Sequence, residues 1–144
     1  MYGVVVRAAN AAPSQDTLER AVEDVVAGNA EWFISEWQAG RDPPCCLDCG
    51  TVKYRPDRPS STTEILGARE MLREKKASCH SAAAYVAGRA RAEAMMDGMR
   101  AEEAAWSYRV ILVEQPRDDA PDGYWHALVV SPSGAVDVTE EMKR

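Results

Sequence analysis

Long apolar runs are missing from this chain. No stretch of its 144 residues approaches the roughly 20 apolar residues that span a bilayer. The run in "MYGVVVRAAN" is too short for a secretory h-region, and no small-residue cleavage site follows it in register. The expected location is therefore the cytoplasm, or a particle assembled there, with no membrane partner. Positive charge is also short: the net charge of -6 argues against a nonspecific grip on nucleic acid, because a phosphate backbone is held mainly by Lys and Arg. Cysteine stops at four, Cys45, Cys46, Cys49 and Cys79, too few for a disulfide scaffold; in a reducing compartment they stay thiols or metal ligands. There is no internal repeat, no low-complexity tract, no phosphate-cradling glycine loop and no H-E-x-x-H.

What is present is the composition of a globular domain, 46% hydrophobic and 28% charged, of a length that fits one domain over residues 1-144. Leu18, Val22, Val25, Val26, Phe33 and Trp37 recur at spacings of three and four, which predicts a long helix over residues 16-39, with Asp16 and Glu19 as a capping box and Gly40 as its stop. Residues 41-61, rich in Pro, Cys and Asp, read as a loop of a length that is functional or clamped. "STTEILGAREMLREKK" returns to helical spacing with Thr62 or Thr63 as cap, and a second helix runs from Cys79 to about Met96. "DGMRAEEAAW" reads as a capped connection or one short helix. The period then changes to two: "WSYRVILVEQ", "YWHALVVSP" and "GAVDVTE" are strands. The fold class is α+β, N-terminal helices packed on a small antiparallel sheet.

The chemistry concentrates on "KASCHSAAAYVAG". A reactive cysteine acts as thiolate and needs a helix N-terminus or nearby positive charge. Ser78 can cap the helix, leaving Cys79 in the first turn among outward-pointing amides that could also hold an oxyanion, with Lys75 and Lys76 just upstream. Ala82, Ala83, Val86, Ala87 and Ala90 would let the helix lie close against a sheet that brings a base within reach. Of the two histidines, His80 points about 100° around the helix from Cys79, whereas His126 lies in a strand and is the better base. Asp137 shares a face with His126 if the "SPSG" loop has two or four residues. A three-residue loop bulged at Gly134 sends Asp137 to the other side. The even register is preferred because it gathers Trp125, Ala127, Val129, Val136 and Val138 on one apolar face.

A Cys opening a helix, followed by His in "YWHALVV" and Asp in "GAVDVTEE", resembles the transglutaminase-like branch of the papain-fold cysteine hydrolases. The likeness covers about residues 62-144. It implies a papain-like core, with Cys79 as nucleophile, His126 as general base and then acid, and Asp137 as the group that orients the imidazole. It further implies a cysteine-dependent hydrolase or acyltransferase acting on a peptide or other amide, with no cofactor.

Other readings stand beside this one. Cys79 could fill space in an alanine-rich helix. Cys46 and Cys49 form one C-x-x-C with Cys45 alongside, and a small zinc-stabilised module would complete four ligands from Cys45, Cys79, His80 or His126. A noncatalytic component of a larger assembly, such as a phage-like particle, would expose an aromatic patch around Trp32 and Trp37 for a protein partner.

Overall fold

The computed structural model describes residues 5-9, 15-44, 52-55, 62-114 and 125-139, with 5-9 and 62-64 by backbone alone. Cys45, Cys46 and Cys49 lie outside the described residues, so the zinc and redox readings of that cluster do too. The described elements mix helix with small sheets, an α+β arrangement. No helix among them is long and apolar enough to cross a membrane.

After strand β1 (Val5–Ala9), the anticipated long helix forms as α1 (Gln15–Gln38), burying Leu18, Val22, Val25, Val26, Trp32 and Phe33 along its inner face. Its start differs from the expected capping box. Asp16 already lies inside the first turn, and the Glu19 carboxylate accepts the Leu112 N–H at 3.2 Å while Gln15 Nε2 donates to the Leu112 carbonyl at 2.7 Å. These side chains tie the helix to a strand nearly a hundred residues away instead of closing on themselves.

Two local expectations are overturned. Residues 41-61 are not loop throughout, since Lys53–Tyr54 form the short strand β2. Thr62 and Thr63 are not helix caps but open strand β3 (Thr62–Leu66), which pairs antiparallel with β1 from Val5↔Leu66 to Ala9↔Thr62. Two adjacent threonines and Ile65 favour extended backbone, and the helix starts only at α2 (Ala68–Glu74). Its N-cap, Gly67, has no side chain to offer, and the Ala68 N–H is satisfied at 2.7 Å by Asn29 Oδ1 from α1.

Lys75 ends α2 in the left-handed conformation (φ 59°) and turns the chain into β4 (Lys76–Ala77), which pairs parallel with β2. One residue later α3 (Cys79–Met96) begins. Ser78 caps it as expected, its hydroxyl accepting the Ser81 N–H at 3.3 Å, and the alanine-rich stretch that follows has high helix propensity. Ala82, Ala83, Ala84 and Ala87 are fully buried. The helix lies against both α1 and the main sheet.

After α4 (Ala101–Ser107) come β5 (Arg109–Glu114), β6 (Trp125–Ser131) and β7 (Gly134–Val136), an antiparallel sheet in that order. β7 pairs with β6 through Val129↔Val136, Val130↔Ala135 and Ser131↔Gly134, leaving Pro132 and Ser133 as a two-residue turn. Ala127 and Val129 of β6 are buried, as is Val138 just past the end of β7, although Val136, the partner of Val129, is exposed. Asp137, the residue after β7, meets the side chain of His126 on β6.

Candidate active site

Cys79 occupies the first residue of α3, directly after its serine cap. The short β4 strand and the Ser78 cap fix the approach of the chain, and Ser81 extends the anchor: its hydroxyl accepts the Leu66 N–H at 2.8 Å. The nucleophile candidate is thereby fastened to the end of β3. The Cys79 side chain is fully buried, and Ser78 and Ser81 are buried beside it.

His126 is the second residue of strand β6 and is 5% exposed. Its ring links two groups. Nε2 lies 2.7 Å from Asp137 Oδ2, and a carboxylate only accepts, so Nε2 carries the hydrogen and donates it. The Cys79 sulfur also lies in hydrogen-bond contact with the ring. The hydrogen-bonded sulfur raises the His126 pKa, burial opposes that rise, and the Asp137 carboxylate adds to it; the net direction is upward.

Asp137 is held from behind. Its Oδ1 accepts both the Thr139 N–H at 3.1 Å and the Thr139 hydroxyl at 2.7 Å. Partial burial works against its ionisation, but the Thr139 and His126 hydrogen bonds outweigh it, and the carboxyl pKa lies below its ordinary value. The structure therefore brings together all three residues singled out in the sequence: a thiol, an imidazole and a carboxylate whose tautomer and orientation are mutually fixed. Such a relay can move a proton from sulfur to imidazole and stabilise the resulting charge.

His80, set aside as a base on the helical wheel, lies closer to the sulfur than that wheel suggests. His80 is 2% exposed, and its Nδ1 lies 3.4 Å from Cys79 Sγ. The helical wheel separates the two side chains by about 100°, but successive Cβ atoms remain close, and Nδ1 is only two bonds from its own Cβ. An imidazole can swing back over the preceding residue, which the angle alone does not convey.

Trp32 and Trp37 do not form the exposed patch considered for a partner. Trp32 is buried, while half-buried Trp37 stacks at 5.4 Å on Phe33, which meets Tyr85 edge-on at 5.0 Å. The Arg89 guanidinium covers Phe33 and Trp37, and Trp37 Nε1 donates to Asp42. Their role is to pack α1 on α3. The exposed tryptophan is Trp106 on α4, under the Arg109 guanidinium. An open cleft of about 580 Å³ runs along Asp16, Glu19, Arg20, Asp24 and Arg109, and none of the three site residues lines it. Among the described residues no group of three or more His, Cys, Asp and Glu is placed to hold a metal ion.

The chain matches no family model, no curated protein and no solved structure. Its site is read from geometry.

Proposed function

We propose that this protein is a cysteine-dependent hydrolase or acyltransferase acting on an amide or ester carbonyl, in the manner of the transglutaminase-like papain-fold enzymes it resembles. The observation that carries this reading is the continuous contact from the Cys79 sulfur through the His126 ring to Asp137. The His126 ring takes the thiol proton, the sulfur attacks the carbonyl carbon, and the first-turn amides of α3 face the developing oxyanion. The imidazolium then returns its proton to the departing amine or alcohol. Water or a second amine, deprotonated by His126, releases the acyl group from sulfur.

A small activated ester such as p-nitrophenyl acetate tests this. Peptide mapping after brief exposure is expected to find the acetyl group on Cys79 ahead of Cys45, Cys46 and Cys49, and at least about 100-fold more slowly in His126→Ala. Acylation confined to the other three cysteines, or His126→Ala reacting at the wild-type rate, would overturn the proposal.

A second reading has its own observation. The sulfur is fully buried, as suits a member of an assembly that keeps the architecture without turnover. In that case Cys79→Ala leaves assembly unchanged, and no acyl-enzyme forms on the native chain.

A further inference from the structure

We infer that the Thr139 hydroxyl is a positioning group for the proposed relay, locking the Asp137 carboxylate with one oxygen turned to His126. The inference deepens the proposed acyl-transfer reading and rests on it.

Asp137 stands just past the end of β7, and its side chain is 25% exposed. A carboxylate there has two equivalent oxygens, a broad preference about its last torsion, and water to turn to. Its hydrogen bond from His126 Nε2 to Oδ2, at 2.7 Å, leaves the other oxygen to be held by something else. Thr139 holds it. The Thr139 N–H at 3.1 Å and the Thr139 hydroxyl at 2.7 Å both donate to Oδ1. The two oxygens are thereby made different, Oδ1 belonging to Thr139 and Oδ2 to His126.

The backbone part of this contact is the local turn that Asp makes with the residue two positions on, and it survives any side chain at 139. The hydroxyl is what threonine adds. Thr139 is fully buried, so bulk solvent does not compete for its hydrogen, and because a carboxylate only accepts, the hydroxyl is the donor. Its direction is fixed by the restricted χ1 of a β-branched side chain. A hydrogen bond to a carboxylate is roughly twice as strong as a neutral one. The groups that bear on Asp137 are thus His126 from β6 and Thr139 from its own turn; without the hydroxyl, one backbone N–H is left to hold Oδ1 against solvent.

Two pairs of side chains at position 139 differ in the hydroxyl: Thr against Val with the branch kept, and Ser against Ala without it. Acetylation of Cys79 by p-nitrophenyl acetate is followed in each, with far-ultraviolet circular dichroism confirming the fold. Thr139→Val and Thr139→Ala are expected to slow it about tenfold, the order expected for a lost hydrogen bond to a charged group. Thr139→Ser keeps the donor and is expected to stay within about twofold of wild type. Should the Val variant fail to fold, the Ser and Ala pair decides alone.

The ring-proton resonance of His126, identified by its loss in His126→Ala, separates positioning from a general effect on charge. If the hydroxyl positions the carboxylate, its removal lets Oδ2 leave the ring, and the titration midpoint of His126 falls. If the hydroxyl only withdraws charge, its removal leaves a more basic carboxylate in place, and the midpoint rises. A midpoint lowered in the Val and Ala variants and restored in Ser is the expected result. A midpoint that rises or stays, or a Ser variant as slow as Ala, overturns the inference. His126→Ala keeps the larger reading separate: if it slows acetylation while Thr139→Val does not, only the role of the hydroxyl falls. If both react at the wild-type rate, the relay itself falls.

Discussion

At the scale of single residues, His126 is raised first by its hydrogen bond with Cys79 and then, against the opposing effect of burial, by Asp137, while Asp137 is lowered, against its own burial, by its hydrogen bonds with Thr139 and His126; part of each shift is therefore the stabilisation of one charged form by the other. The consequence for stability depends on sign. A histidine with a raised folded pKa contributes stability that is complete below its unfolded value, about 6.5, and that fades as pH rises through the folded value. A carboxyl with a lowered pKa contributes above its unfolded value, about 3.9, and loses that contribution as pH falls through the folded one. The stability advantage of the native chain over Asp137→Asn is therefore expected to be largest between about pH 4 and 6.5 and to shrink as His126 deprotonates. Asn keeps an acceptor for Nε2, so a neutral hydrogen bond survives and the difference does not vanish. Urea unfolding of both proteins over this pH range checks it, and a difference independent of pH would show that the pair carries no charge. The three residues of the relay were legible in sequence because each stood beside a feature with a geometric meaning: a serine cap, a strand and a hairpin. His80 was not, because a first-turn side chain with two free torsions can lie over its neighbour whatever the wheel suggests.

At the scale of elements, the position of Cys79 depends on how closely α3 approaches α1. Gly88 sets that distance. A Cβ built there would lie 2.5 Å from the Asn29 Cβ and 3.2 Å from the Val26 carbonyl oxygen, neither of which is the end of a flexible side chain. Alanine is the better helix former by about 1 kcal/mol, yet overpacking a close contact costs about 1 to 3 kcal/mol. Gly88→Ala is therefore expected to lower the urea midpoint, with Asn29 pushed off the Ala68 amide it caps; a raised midpoint would mean the helices separate freely. The stripe of α1, the start and end of α3 and the three final strands could be read from sequence, since each repeats a period over enough residues to outweigh local exceptions. The β-hairpin turn was readable as well, because apolar residues on both strands agree on only one register. What could not be read was pairing between distant segments. Thr62–Leu66 carries both an extended preference and helical spacing, and its partner is Val5–Ala9, more than fifty residues away, so only the folded chain decides between them. Lys53–Tyr54 is likewise a strand only because β4 passes alongside. The capping box failed for a related reason: Glu19 had a better acceptor role at Leu112 than at its own helix start.

For the molecule as a whole, α3 is the member on which the other parts converge, and Arg91 is where they are joined. Its side chain is buried, yet it makes a two-pronged contact with Glu23 of α1 at 2.7 and 2.9 Å and donates to the carbonyls of Tyr108 and Ala105. One guanidinium thus links the helix that opens with Cys79 to α1 and to the junction from which β5 departs, and β5 carries β6 with His126 through the Val113↔His126 pair. Lysine would not replace it, since a single ammonium cannot span a carboxylate and two carbonyls in fixed directions. Arg91→Ala strands the carbonyls of the junction and removes the tie, at a cost of about 3 kcal/mol, a large share of the roughly 5 to 15 kcal/mol that holds a domain folded. Glu23→Gln keeps an acceptor at a half-exposed position and is expected to cost about 1 kcal/mol or less. Because Arg91 sits three turns from Cys79 on the same helix, its loss also lets the helix shift against the sheet. Acetylation of Cys79 by the activated ester is accordingly expected to slow in Arg91→Ala under conditions where circular dichroism shows the chain still folded, and to stay near wild type in Glu23→Gln. Were Arg91→Ala to unfold at the wild-type urea midpoint and acylate at the wild-type rate, the distance between sulfur and imidazole would have to be set locally, by the serine cap and the β6–β7 turn alone.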